Sequence, residues 1–135
     1  MGKNIIYGWI RVKWPMLTNN KWYSVIALNK PSSDKFIMDA EVLPDSPWFS
    51  GHFPGEPILP GIAQIEMALD AIQHLTQQDL KISSIKRTRF KQIIRPKDTL
   101  KIIVSSLDED TLSFSYRILV NNELACNGTL IVEEQ

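Results

Sequence analysis

Residues 51–66 read GHFPGEPILPGIAQIE. Three prolines and three glycines fall in the first eleven positions, and an apolar pattern of helical period then begins. Proline restricts φ and glycine marks sharp bends, so a stiff loop runs directly into a helix. Pro60 suits the first helical position, where its missing N–H costs nothing. Ile62, Ile65, Leu69, Ile72 and Leu75 follow at spacings of three and four, which predicts one apolar face and a helix fading near Gln77 and Gln78. His52 stands in the loop and Glu66 in the helix, so the stretch holds an imidazole and a carboxyl on either side of its rigid part.

Outward from this stretch, the flanks read as strands. Residues 22–28 and 35–43 are aromatic and β-branched, with a turn expected at Pro31-Ser32-Ser33. Residues 82–93, 98–107, 111–121 and 123–133 are further candidates, with Asp108-Glu109-Asp110 and Asn121-Asn122 supplying turns. A single central helix must bury its apolar face, and a curved antiparallel sheet is its natural cover. The expected class is α+β, in one domain over residues 1–135.

Composition excludes several function classes. Fifteen basic residues balance fifteen acidic ones, so no global charge points to nucleic acid. Cys126 is the only cysteine, so an intrachain disulfide and a cysteine-rich metal site are impossible; it is expected to be buried and inert. No apolar run reaches the length of a membrane span, and residues 1–17 lack the uninterrupted apolar segment of a signal peptide, so a cytoplasmic protein is expected. No metal constellation, phosphate-cradling glycine loop or nucleophile elbow is present, and no cofactor is expected.

Gly51-His52-Phe53-Pro54-Gly55, Pro57, Pro60-Gly61 and Ile65-Glu66, followed by Arg89-Phe90-Lys91, Ile94, Pro96 and Asp98, resemble the 3-hydroxyacyl-acyl-carrier-protein dehydratases. The resemblance implies a hotdog fold, in which a curved antiparallel sheet wraps one long central helix. It also implies a dimer in which His52 of one chain meets Glu66 of the other. Three departures stand out: an atypical N-terminal segment over residues 1–20, Asp70 where the family has an amide, and Lys97 in place of a turn glycine.

Dehydration of a 3-hydroxyacyl thioester needs a base at C2, an acid for the 3-hydroxyl and a donor for the thioester oxygen. His52 fits the base, because an imidazole is largely neutral at pH 7; a loop histidine that only bonds neighbouring backbone is the plainer alternative. Glu66 fits the acid; a carboxyl that merely edges a solvated helix face is the plainer alternative. On a wheel of about 100° per residue it falls at the border of the apolar face, where partial desolvation favours the proton-bearing form. Asp70, one turn on, adds a negative charge that pushes the same way. Gly61 lies in the first turn, where backbone N–H groups lack internal partners and a thioester can approach closely. Glu66, where a related subgroup that also isomerises carries Asp, points to dehydration alone.

Eight of the fifteen basic residues lie in 81–101, against one acid. Of these, Lys86, Arg87, Arg89, Lys91 and Arg95 are the candidate docking surface for an acyl carrier protein and its pantetheine phosphate, or else a solvated strand that protects a sheet edge. Trp48, Phe49 and Phe53 either line an acyl tunnel or pack the loop, with packing the expected role, and His74 is expected to lie at the surface or cap the helix. Two other readings share the fold: a non-catalytic subunit that binds acyl carrier protein or pairs with an active homologue, and a thioesterase using Glu66 to position water.

Overall fold

In the computed structural model, residues 5–7, 10–12, 22–49, 58–108 and 110–135 are described. Two short strands, β1 (Ile5–Tyr7) and β2 (Ile10–Val12), pair antiparallel near the N-terminus. The main sheet holds six strands: β3 (Tyr23–Ser32), β4 (Lys35–Val42), β5 (Leu80–Phe90), β6 (Thr99–Asp108), β7 (Ser113–Val120) and β8 (Glu123–Glu134). Their spatial order is β3-β4-β6-β7-β8-β5, and every pairing is antiparallel. The helix α1 (Gly61–Thr76) carries the chain from β4, near one edge, to β5 at the other. It packs on β4, β5, β6 and β7. This is the hotdog arrangement expected from the sequence.

Side chains alternate across each strand, so one face of the sheet is apolar. Phe36, Met38, Ala40 and Val42 of β4 face the helix with Leu100, Ile102 and Val104 of β6, and all are buried. From α1, Ala63, Met67, Ala68 and Ala71 meet them, and the alanines let the helix lie close to the sheet. Among the described residues no helix is long and apolar enough to cross a membrane.

The turns follow their residues with two revisions. Asn121 and Asn122 both have positive φ, 53° and 66°, as a two-residue hairpin of type I′ requires. Pro31 is not in the first turn but inside β3, where an edge strand tolerates its missing donor, and Ser33-Asp34 make the turn. Pro60 caps α1 from just outside it, with φ −69° and ψ 159°, so Gly61 is the first helical residue. At the other end Gln77 takes the left-handed conformation (φ 58°), and its N–H donates to the Gln73 carbonyl at 2.7 Å.

The helix departs from the simple wheel. Ile65 and Ile72 are buried, but Ile62 is 53% exposed, and Leu69 is only half-buried. α1 is buried on nearly every side, with β4 to β7 against it, and one narrow stripe is left, which carries Ile62, Glu66 and Leu69. His74 overturns the surface or capping expectation: it is 1% exposed and stacks on Phe36, with ring centroids 5.7 Å apart. The reason is its place on the helix. It projects on the same side as Met67 and Ala71, straight at β4. Neither ring nitrogen has a hydrogen-bond partner among the described residues.

Burial holds the His74 imidazole down to about 3, from an ordinary 6.5. The native state therefore binds fewer protons than the unfolded chain between those values. Its contribution is unchanging above pH 6.5, and stability is lost as pH falls from 6.5 toward 3, by a few kcal/mol at most, on the order of 1.4 per unit. His74→Leu removes two unsatisfied buried nitrogens; it should raise the urea midpoint at pH 5 and flatten the pH dependence below 6.5 relative to wild type. A lower midpoint at pH 5 would refute this account.

The turn at Arg95-Pro96-Lys97-Asp98 closes with Asp98 N–H donating to the Arg95 carbonyl at 3.1 Å. Lys97 sits at its third position with φ 72°, where a type II turn favours glycine. Lys97→Gly should stabilise the fold by roughly 0.5 kcal/mol or more, relief of left-handed strain exceeding the added unfolded-state entropy. Chemical denaturation checks the sign.

Candidate active site

The start of α1 is pinned from the strand side. Leu59 N–H donates to the Ile94 carbonyl at 2.8 Å, and Lys91 N–H to the Ala125 carbonyl at 2.7 Å. The segment after β5 is thereby tied both to the helix approach and to β8. Phe90, the last residue of β5, lies directly against Gly61. A Cβ built on Gly61 would stand 2.6 Å from Phe90 Cζ and 2.9 Å from Cε1. No side chain caps this helix end, and the Gly61 N–H meets no acceptor among the described residues. It points along the helix axis at the positive end of the macrodipole, where developing negative charge is favoured.

Glu66 lies five residues further, about 7.5 Å along the axis. It is exposed on the stripe with Ile62 and Leu69, so within one chain the partial desolvation expected from the helical wheel is not found, because the border it occupies faces away from the sheet. Asp70, one turn beyond, is buried instead. Its Oδ2 accepts the Tyr23 hydroxyl at 2.5 Å, which ties β3 to the helix. The Tyr23 phenol is pushed well above its ordinary value, first by burial, then by the charge and hydrogen bond of Asp70, and last by the charge of Glu66. Tyr23 thus shares its electrostatic surroundings with both carboxyls. Trp22 packs edge-on against it and against Trp48. Trp48 and Phe49 pack on the core, as expected of loop aromatics.

Edge strand β5 explains how one segment presents apolar and basic side chains on opposite faces. Its register with β8 slips between Ile82 and Ser84 and again between Lys86 and Arg89, where Arg87 has φ 56°. These are β-bulges, and each shifts the alternation by one. Ile85 pairs with buried Leu130 and Phe90 with buried Cys126, so both face the helix side, yet at this edge of the sheet they remain 44% and 51% exposed. Lys86 and Arg89 pair with Thr129 and Asn127 and face outward. Behind the edge, the Tyr116 hydroxyl lies over Gly128 and shares a hydrogen bond with Thr88 at 3.0 Å. Burial pushes the adjacent Cys126 thiol up to about 11, so it is a packed, unreactive thiol.

Gly61 and Glu66, expected as site residues, therefore share one helix end and its uncovered stripe. His52 and Phe53 lie outside the described residues, as does the loop 50–57. Lys86, Arg87, Arg89, Lys91 and Arg95 are all exposed, and among the described residues none pairs with a carboxylate. Lys81 and Lys101, at the ends of the basic stretch, are paired with Glu133 and Asp39. The depression lined by Ile26, Asp39, Lys101, Asn121 and Asn122 contains none of these site residues. Sequence reasoning missed Tyr23 as the partner of Asp70, because 47 residues separate them and no local pattern links them. Phe90 was visible in the Arg89-Phe90-Lys91 motif, without a role.

Residues 28–129 match the family model for ApeI-like proteins, described as ApeI dehydratase. The chain is 33% identical over 116 residues to a 3-hydroxyacyl-[acyl-carrier-protein] dehydratase FabZ of Caldicellulosiruptor saccharolyticus, covering 79% of this chain and 81% of that protein. It is 29% identical over 108 residues to a bifunctional enzyme LpxC/FabZ of Chlorobaculum tepidum, covering 73% of this chain and 23% of that enzyme. The matched stretch is thus less than a quarter of the bifunctional relative. Among solved structures, the dehydratase heterocomplex ApeI:P from Xenorhabdus doucetiae superposes with a TM-score of 0.73 at 28% identity, covering 80% of this chain and 95% of that one. With its six-stranded antiparallel sheet, its single long helix and a family match over residues 28–129, the chain belongs to the ApeI-like dehydratase family, a divergent branch related to FabZ.

Proposed function

We propose that the protein dehydrates a (3R)-3-hydroxyacyl thioester on acyl carrier protein, giving the trans-2-enoyl thioester and water. The observation that carries this reading is the shared helix end: one uncovered stripe presents the Glu66 carboxyl and starts at the Gly61 N–H, which meets no acceptor among the described residues. His52 takes a proton from C2. Glu66 gives a proton to the 3-hydroxyl, the C3–O bond breaks, and a double bond forms between C2 and C3. Charge that gathers on the thioester oxygen is held by the Gly61 N–H and the helix end.

A single chain leaves Ile62, Glu66 and Phe90 uncovered, which supports a second subunit closing the site. In the homodimer reading, His52 arrives from the partner copy. The dehydratase heterocomplex among the structural relatives supports a second reading, in which the partner is a different hotdog subunit. Lys86, Arg87, Arg89, Lys91 and Arg95, exposed and without a carboxylate partner among the described residues, form the docking surface for the acidic carrier and its pantetheine phosphate.

His52→Ala and Glu66→Gln should each lower kcat by about 100-fold or more on hydroxyacyl carrier protein, followed as loss of water by mass spectrometry. Full activity in either variant rules out the assigned roles. Release of free thiol without water loss identifies a thioesterase, and tight carrier binding without turnover identifies a non-catalytic subunit. Mixing the inactive His52→Ala and Glu66→Gln chains should restore part of the activity if the site is shared between two copies. No restoration, with dimer exchange shown by native mass spectrometry, rules out a site shared between two copies.

Carrier recognition should also be salt-sensitive. Raising ionic strength from about 0.05 to 0.5 M should increase KM for the carrier-bound substrate several-fold while kcat holds, because exposed charge pairs are screened beyond about 10 Å at 0.1 M. A KM independent of salt argues against the basic strand as the docking surface.

A further inference from the structure

The closeness of Phe90 to Gly61 has a chemical meaning that the proposed reaction does not use. An alanine at position 61 would keep the N–H, so the amide alone does not require glycine there. What crowds position 61 is the ring: the edge of Phe90 stands in the space of the missing Cβ, with Cζ at 2.6 Å, Cε1 at 2.9 Å and Cε2 at 3.1 Å, so a larger residue there displaces the ring. The contact is not core packing, since Phe90 is 51% exposed. The residue that carries the ring is anchored through its main chain. Its backbone pairs with Cys126, and the next residue donates to the Ala125 carbonyl at 2.7 Å.

Covalent geometry places a Cβ about 2.5 Å from its own nitrogen, so the ring edge lies within about 5 Å of the Gly61 nitrogen. An oxygen accepting that N–H sits at about 2.9 Å from the nitrogen. The carbon bearing the oxygen, and the C2 atom bonded to it, are then within reach of the ring. C2 of a straight acyl chain carries hydrogens only and passes a wall there. A methyl group on the side of C2 that faces the ring collides with it.

We infer that Phe90 is a specificity-determining residue: its ring, seated on Gly61, walls the site at C2 and rejects 3-hydroxyacyl thioesters branched at that carbon. This rests on the proposed dehydration, with the Gly61 N–H taking the thioester oxygen. The glycine and the aromatic residue form one device. The first leaves the space, and the second fills it half-way, leaving a flat apolar surface for an unbranched chain.

The test compares straight-chain and 2-methyl 3-hydroxyacyl carrier proteins, each of the C2 stereochemistry that carries the removable hydrogen. Wild type should favour the straight substrate in kcat/KM by about 10- to 200-fold, the usual worth of one extra carbon in a closed apolar site. Phe90→Leu and Phe90→Ala should cut that ratio at least 10-fold, chiefly by raising kcat/KM for the branched substrate. Thermal melts of the same proteins verify folding. A double-mutant cycle tests the device itself: Gly61→Ala should lower kcat/KM for the straight substrate, and Gly61→Ala with Phe90→Ala should restore most of it, because the colliding ring is gone. Turnover with an unchanged substrate ratio in both Phe90 variants, or additive effects in the cycle, overturns this assignment alone. No turnover of either substrate by wild type overturns the proposed reaction together with it.

Discussion

The structure depends on the burial of α1 against one face of the six-stranded sheet. Period-two rows from β4, β6 and β7 supply the surface, and the small residues Ala63, Ala68 and Ala71 bring the helix axis close to it. Burying large apolar side chains is worth about 1.5–3 kcal/mol each, so this contact dominates the stability of the chain. It also determines where chemistry is possible. A helix covered on nearly all sides can offer substrate only its uncovered stripe and its end. Glu66 occupies the stripe and Gly61 the end.

The end is exact in position because the strand after the helix returns to hold it. The hydrogen bond from Leu59 to Ile94 and the packing of Phe90 on Gly61 fix the first turn from two directions. A helix start held in this way keeps its N–H groups oriented before any ligand arrives, which lowers the reorganisation needed when charge develops. The bulges in β5 serve the same end by turning Phe90 toward the helix and the basic residues outward.

Polar groups inside the core are treated unequally. Asp70 is tied to Tyr23, and the Gln73 side chain accepts the Leu80 N–H at 2.7 Å, so each secures a neighbouring strand to the helix. His74 secures nothing by hydrogen bonding. It fills space against Phe36 as a neutral ring with no hydrogen-bond partner among the described residues. The first two stabilise through their partners, whereas the third is tolerated because an uncharged imidazole is a flat, largely apolar body.

Much of this was legible in the residues. The loop rich in proline and glycine, the period of Ile65 and Ile72, and the paired asparagines at 121–122 announce helix, strands and turns through local backbone preference, and such preference needs no distant partner. The motif around His52, Gly61 and Glu66 announced the family for the same reason, since its spacing is local. Three things were decided only by the tertiary structure: that Ile62 is left uncovered while His74 is buried, that Tyr23 meets Asp70, and that Phe90 fills the space above Gly61. Each depends on which surfaces the sheet brings to the helix. A helical pattern states that residues share a side, but the sheet order β3-β4-β6-β7-β8-β5, joined across long separations in the chain, determines which side is covered and by what.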